Sequence, residues 1–441
     1  TLQALGVDES FPLKRFNRFV AKGLPGSNEP FNASLITIII AFIFVAMGNV
    51  NAVAEIISMF FMVTYGSLCL ISFLYHFSAD PSYRPSFRSK WYLSLLGFLM
   101  CLWLMFKINT LYALAAIILM VLIYMMISYY HSDRKGLVSI FQGTMFQLNR
   151  KIHIYLQKSK SADDKSTWRP SAVCIAKDSL NREKAIKLMK WISWKYGFGT
   201  YIHLIEDYFS RKTRKESLEI LEKLIRITEK EKSNTYVDTL VSPSYTSAVA
   251  QIIQLPGITG MENNMLLFDY NKEKPDDLAQ IIENYSLVHA ADYDVCILGS
   301  SSRKINYKKG IHVWIRSIDY ENSNLMILLS YILSGHRDWR KGSVKIFEVC
   351  QNKDLAATKN KLLELVRSGR LPISAKNIEI IQMDEDTNVK SIINQRSKEA
   401  GLTMIGFRSE QIKHEKQKLF HGYDQLGDVL FINSCRQKEL D

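Results

Sequence analysis

The 441-residue sequence predicts a multi-pass α-helical membrane segment followed by an α/β domain of two doubly wound lobes. Three observations predict it. Residues 33–130 are almost continuously apolar. From Ser171 onward, short β-prone runs alternate with helical segments. After about residue 310 the same alternation starts again.

Composition narrows the class. With 47% hydrophobic and 22% charged residues the chain is neither disordered nor collagen-like. Its length suggests two or three folded units. The net charge is +13, spread over both parts: 10 Lys/Arg face 6 Asp/Glu up to Lys135, and 46 face 37 beyond it. Neither part is basic enough to argue for nucleic acid, whereas basic loops hold membrane helices in orientation. Cys69, Cys101, Cys174, Cys296, Cys350 and Cys435 include no CxxC pair and sit in apolar or strand-like runs, so buried reduced thiols are expected rather than zinc or disulfides. The chain opens Thr1-Leu2-Gln3 with no initiator Met and no signal-peptide pattern, from which a fragment of a longer protein is expected.

A bilayer core of ~30 Å needs about 20 apolar helical residues. Four stretches are expected to span it: about Ala33–Gly48, Ala52–Phe77, Trp91–Phe106 and Thr110–Tyr130. The first and third are short. Lys14, Arg15, Arg18, Lys22, Arg84, Arg88, Lys90, Arg134 and Lys135 lie on one side of these spans, against Lys107 alone on the other. The positive-inside rule then places both termini in the cytoplasm of an integral membrane protein. The three-residue turn at 107–109 makes spans three and four a tight hairpin. Glu55 and His76 fall at opposite ends of span two and read as end residues in contact with solvent. Deeper in that span, Thr64, Tyr65, Gly66 and Ser67 interrupt the apolar run. Small and polar residues of this kind pack bundle helices together. Alternatively, the Tyr65 hydroxyl donates a hydrogen bond to a dehydrated anion. On the residues alone packing is the simpler reading, and the second stays open.

Residues 137–158 form an amphipathic helix leaving the membrane, and 158–167 a polar linker. Strands are expected at Ala172–Ala176, Tyr201–Ile205, Tyr236–Val241, Met265–Tyr270 and Tyr293–Gly299, with helices near 181–195, 212–231, 244–254 and 275–291. In the second lobe, strands are expected at Ile311–Ile315, Val344–Val349, Ile378–Gln382 and Val429–Asn433, with helices near 322–335, 354–368, 388–400 and 411–418. The expected division is 1–32 loop, 33–131 four membrane helices, 132–170 helix and linker, 171–308 first lobe and 309–441 second lobe. No enzyme motif occurs: no GxxxxGK[ST], no GxGxxG after a strand, no GxSxG and no HExxH. Gly299-Ser300-Ser301-Ser302-Arg303-Lys304 follows a strand and could cradle a phosphate on backbone N–H groups, although a solvated turn is the plainer reading.

Several stretches, in order, resemble cation–chloride cotransporters. AEIISMFFMVTYGSLCL is similar to the family's tenth span, with its ILSMFF-x(3)-Y run. DPSYRPSFRSKWYLSLLGF resembles the W/Y-R-P-x-F-R loop into the eleventh span, and Ser166-Thr167-Trp168-Arg169-Pro170 the N-W-R-P opening of the cytoplasmic domain. PGITGMENNMLLFDY resembles the G-x(3)-M-x(2)-N-x-L element, and GIHVWIRSIDYENSNLMILLSYILSGHRDWRKGSVKIFEV the start of the second lobe. The resemblance runs essentially end to end over the C-terminal part of such a transporter.

What the resemblance implies goes beyond the residues. It implies a secondary active transporter, a symporter moving chloride with sodium, potassium or both. The helices would be part of an inverted-repeat bundle of the amino-acid/polyamine/organocation superfamily, with upstream transmembrane helices of the same protein as partners. The lobes would be like universal stress proteins and form a homodimer, helped by the last two spans. The implied chloride-binding residue is Tyr65. Some relatives bind a nucleotide in the first lobe. Here Gly257-Ile258-Thr259-Gly260 replaces their G-x-G, and no residue is assigned to a nucleotide or other cofactor. An amino-acid permease of the same superfamily and a membrane-anchored nucleotide-sensing module are the alternatives.

Overall fold

A computed structural model describes residues 1–24, 26, 29–46, 48–78, 90–130, 136–159, 168–351, 375–383, 388–436 and 438. Arg84, Arg88, Arg134, Lys135, Ser166, Thr167 and the helix expected near 354–368 lie outside the described residues. The chain divides into two compact units, Thr1–Tyr155 and Leu156–Asp441.

The first unit is helical. After α1 (Leu2–Val7) and α2 (Lys14–Ala21) come α3 (Phe31–Ala46), α4 (Val50–Ser78), α5 (Trp91–Ile108), α6 (Thr110–Tyr130) and α7 (Gly136–Ser159). Among the described residues three helices, α4, α5 and α6, are long and apolar enough to cross a membrane. At 16 residues α3 reaches only about 24 Å, short of the ~30 Å of hydrocarbon. Conversely, α4 has 29 residues. It starts at Val50, where Asn49 caps it by accepting from the Ala52 amide at 3.1 Å.

Small residues set the packing of α4 on α5. A methyl on Gly66 would sit 3.3 Å from Cys101 Cβ, and one on Gly97 3.0 Å from Cys69 Sγ. One turn beyond them, the Ser72 and Ser94 hydroxyls meet at 3.1 Å. Helices without a hydrophobic driving force between them associate through such close approach and shared hydrogen bonds. The turn between α5 and α6 shrinks to Asn109. Its Oδ1 accepts from the Leu111 and Tyr112 amides at 3.1 and 3.3 Å, which starts α6.

The second unit is one mixed sheet. The described strands are β1 (Ser171–Ala176), β2 (Phe198–Glu206), β3 (Tyr236–Ser242), β4 (Met265–Asn271), β5 (Asp294–Ser300), β6 (Ile311–Arg316), β7 (Val344–Gln351), β8 (Ile378–Met383), β9 (Leu402–Gly406) and β10 (Asp428–Asn433). Their order is β3-β2-β1-β4-β5-β10-β9-β6-β7-β8. Counted from its own outer edge, each lobe has its strands in the order 3-2-1-4-5. The two fifth strands, β5 and β10, pair antiparallel, from Val429 opposite Gly299 to Asn433 opposite Val295. Every other described pairing is parallel. The lobes are therefore halves of a continuous sheet related by a pseudo-twofold at that seam.

Helices cover both faces: α8 (Glu183–Ile192), α9 (Arg211–Lys230), α10 (Tyr245–Gln254), α11 (Leu278–Ala290), α12 (Ser323–Ser334), α13 (Val389–Ser397) and α14 (Ser409–Glu415). Ser210 and Ser244 start α9 and α10 by accepting from the Thr213 and Ser247 amides, each at 3.1 Å. Two-sided cover explains the unbroken apolar runs. Ala172, Cys174 and Ala176 enter one core layer, and Val173 and Ile175 the other.

One strand escaped the sequence reading. Leu402–Gly406 lies wholly buried between β10 and β6, in a stretch assigned to no element. It is five residues long, includes Thr and ends on Gly, so its periodicity is too short to register.

Candidate functional site

Tyr65 sits in mid-α4, two turns before Ser72, which meets Ser94 of α5 from the same face. The packed stripe of α4 runs through Met59, Gly66 and Leu74. Tyr65 is 56% exposed, its ring stacked on Phe61 with centroids 6.2 Å apart. Its polar neighbours are used elsewhere. Thr64 Oγ1 donates to the Phe60 carbonyl at 2.8 Å, Gly66 is closed against Cys101, and Ser67 Oγ reaches Met120 Sδ at 3.8 Å. For Gly66 and Ser67 this supports the packing reading, while Thr64 bonds within its own helix. The Tyr65 hydroxyl has no hydrogen bond among the described residues.

Glu55 is less free than an end residue in water. Its Oε2 accepts from Asn109 Nδ2 at 2.8 Å, which ties α4 to the α5–α6 turn. His76 Nδ1 is 2.8 Å from the Ser72 carbonyl, one turn back in the same helix. Of the thiols, Cys174 and Cys296 are buried as expected, whereas Cys69, Cys101 and Cys435 are partly exposed. Cys435 departs because it follows β10, outside the covered part of the sheet, where its Sγ donates to the Asp292 carbonyl at 3.0 Å.

In the second unit the loop after β5 is taken by the chain's own carboxylates. Ser301 N–H and Oγ donate to Asp428 Oδ1 at 2.9 and 3.1 Å. Ser302 N–H and Oγ donate to Glu273 Oε1 at 2.9 and 2.8 Å. Those bonds hold the Glu273 carboxyl below its usual range. A phosphate would have to displace both acids, so the cradle reading of 299–304 fails on charge. The loop is also no simple solvated turn: it clamps the seam. Lys184 Nζ bridges to Asp428 at 2.6 Å and to the Arg303 carbonyl at 2.7 Å. Lys272 Nζ donates to the carbonyls of Tyr423, Leu426 and Gly427 at 2.7, 2.9 and 3.0 Å, and burial draws it down to about 8.

Replacing Lys184 by methionine is expected to cost about 2 kcal/mol. Breaking a fully buried pair costs roughly 3–5 kcal/mol. Here Asp428 is buried with 4% of its side chain exposed, but Lys184 keeps 19%, so water compensates in part. Urea unfolding of residues 168–441 measures it. An unchanged midpoint would show that the clamp contributes nothing.

Gly257–Gly260 proves to be turn geometry. Gly260 has φ +77°, and a methyl on Gly257 would meet the Met261 carbonyl oxygen at 2.1 Å. At the switch point between β1 and β4, Asp269 is buried with no hydrogen bond to either carboxylate oxygen among the described residues. Arg182 Nη1 stands 4.0 Å from it but is committed to Asp277 at 2.6 Å. Burial pushes the Asp269 carboxyl up to about 7. Sequence reasoning missed it because nothing in MLLFDY marks one acid as buried.

Helices apolar and long enough to span a bilayer, followed by a two-lobed, doubly wound α/β sheet, define an integral membrane protein with an α/β domain. Residues 1–158 match the family model described as amino acid permease. More particularly, the chain resembles cation–chloride cotransporters. Over 394 residues, 83% of this chain, it is 24% identical to potassium/chloride cotransporter 3 of Caenorhabditis elegans. It covers 35% of that protein, so it spans about a third of the relative's length. Among solved structures it is similar to the cytoplasmic domain of a prokaryotic cation chloride cotransporter, at 14% identity and TM-score 0.43, covering 61% of this chain and 96% of that one. A universal stress protein from Archaeoglobus fulgidus DSM 4304 gives 13% and 0.40, covering 62% and 99%.

Proposed function

We propose that this chain is part of a cation–chloride symporter, a secondary active transporter moving chloride with sodium, potassium or both. The observation that carries this reading is the sequence match to a potassium/chloride cotransporter, which extends over 83% of the chain and so takes in both helices and sheet. A permease reading is supported by a match that stops at residue 158, before the sheet begins. Tyr65 is the proposed chloride ligand: its hydroxyl is the donor left over when the Thr64 hydroxyl bonds the Phe60 carbonyl and that of Ser67 reaches Met120. The basic residues flanking the spans support cytoplasmic termini. The lobes and the α5–α6 hairpin are the proposed homodimer contacts. The chain is read as a carrier with no catalytic chemistry of its own.

Tyr65→Phe in the complete transporter is expected to raise the chloride concentration for half-maximal cation uptake roughly tenfold, since a hydrogen bond to a charged group is worth about 1.5 kcal/mol or more. Labelled-cation uptake against external chloride measures it. An unchanged half-saturation would remove Tyr65 from the site. Uptake indifferent to halide and inhibited by amino acids would instead favour a permease.

A further inference from the structure

The helix α7 has three distinct faces. On the first, Gly143, Gln147 and Lys151, one per turn, meet the last two residues of α4. A methyl on Gly143 would sit 2.9 Å from Ser78 Cβ. Gln147 Nε2 donates to the Ser78 carbonyl at 3.3 Å, and Lys151 Nζ lies 5.0 Å from the Phe77 ring centre. About 12 Å of α7 thus gathers on one spot of α4. The two helices cross there; side by side, Lys151 would meet residues further up α4. Because α4 is a membrane-crossing helix, this crossing sets α7 at the level of one membrane surface.

On the second face, Phe141, Met145, Leu148, Ile152 and Tyr155 recur at spacings of four and three. Each is exposed, from 44% at Leu148 to 71% at Tyr155. The third face carries Gln142, Asn149, Arg150 and His153, with the exposed Phe146 among them. Residues 136–162 contain Arg150, Lys151, Lys158 and Lys160 and no Asp or Glu.

Charge decides what covers the apolar stripe. Two copies of α7 side by side would bring basic residues together with no acid on the helix to pair them. An anionic lipid surface supplies what a second copy lacks: acyl chains for the stripe and negative headgroups for the basic side chains, whose stems reach from one to the other. We propose that α7 lies on the membrane surface at the end of α4, with its apolar stripe in the acyl boundary and Lys158, at the stripe's edge, on anionic headgroups. This does not rest on the transport reading.

The test places the photoreactive residue p-benzoylphenylalanine at Leu148 or Ile152 of the full chain. The protein is reconstituted in phosphatidylcholine vesicles with or without phosphatidylserine, irradiated and weighed intact. The expected product is the chain plus one lipid, in several-fold higher yield with phosphatidylserine. That preference should fall roughly fivefold for Lys158→Gln and at high salt, whereas Arg150→Gln, on the face opposite the stripe, should leave it unchanged. The same probe at Gln142 should give no lipid adduct. A product of doubled mass, an internal cross-link or equal yields in both vesicles would overturn the proposal.

Discussion

Trp314→Ala is expected to lower the stability of the α/β unit by about 3–5 kcal/mol, the range for removing a large aromatic from a packed core. Trp314 is 1% exposed on β6. Its ring stacks on Phe347 of β7, centroids 4.5 Å apart and 12° from parallel. Its Nε1–H donates to Ser397 Oγ at 2.8 Å, and the same hydroxyl meets His312 Nδ1 at 2.9 Å. Truncation therefore opens a cavity, strips one face of Phe347 and frees a buried hydroxyl. Urea unfolding of residues 168–441 should show a lower midpoint at unchanged slope. A loss under about 1 kcal/mol would mean that β6 and β7 close over the gap.

Asp269→Asn should change how stability depends on pH. The folded carboxyl sits at about 7, against an ordinary value of 3.8, with burial as the main cause. The folded state therefore holds a proton that the unfolded state releases. Stability from this group is fully present below about pH 4 and is lost as pH rises through about 7. Above that, the wild type carries a buried charge costing on the order of 4 kcal/mol, reduced by whatever Arg182 offsets. The groups facing the carboxyl are Arg182, Asp277, Asp428, Cys174 and Tyr201. Asparagine cannot ionise, so the variant should be the more stable protein near pH 8 and no more stable near pH 4. Urea midpoints across that range decide it. Parallel profiles would show that Asp269 stays ionised and paired with Arg182 throughout.

Much of the fold was legible because it is written in local periodicity. The run SMFFMVTYGSLCLISFLYHF declares a spanning helix by length alone, and AVCIA and DVCIL declare strands covered on both faces. Where periodicity is short it failed. LTMIG carries too few residues to register as β9, yet without it β10 and β6 would have no strand between them. The site was legible only in part. Tyr65 stood out as polar in an apolar helix, but its three neighbours stood out equally, and packing and hydrogen bonding had to separate them. The loop 299–304 had the composition of a phosphate cradle. Asp428 and Glu273, which fill it, lie 127 and 29 residues along the chain from the serines they bind, so no spacing rule pointed to them.

By itself, the sequence determined which segments leave water for lipid and which alternate as strand and helix, because hydrophobic patterning acts within a few turns of chain. Only the tertiary structure decided that β5 and β10 join two lobes into one sheet, that Lys184 and Lys272 clamp that seam, and that Asp269 is shut in with no hydrogen bond among the described residues. Those outcomes depend on which distant groups meet and how much water is excluded when they do, and a residue's local pattern carries neither quantity.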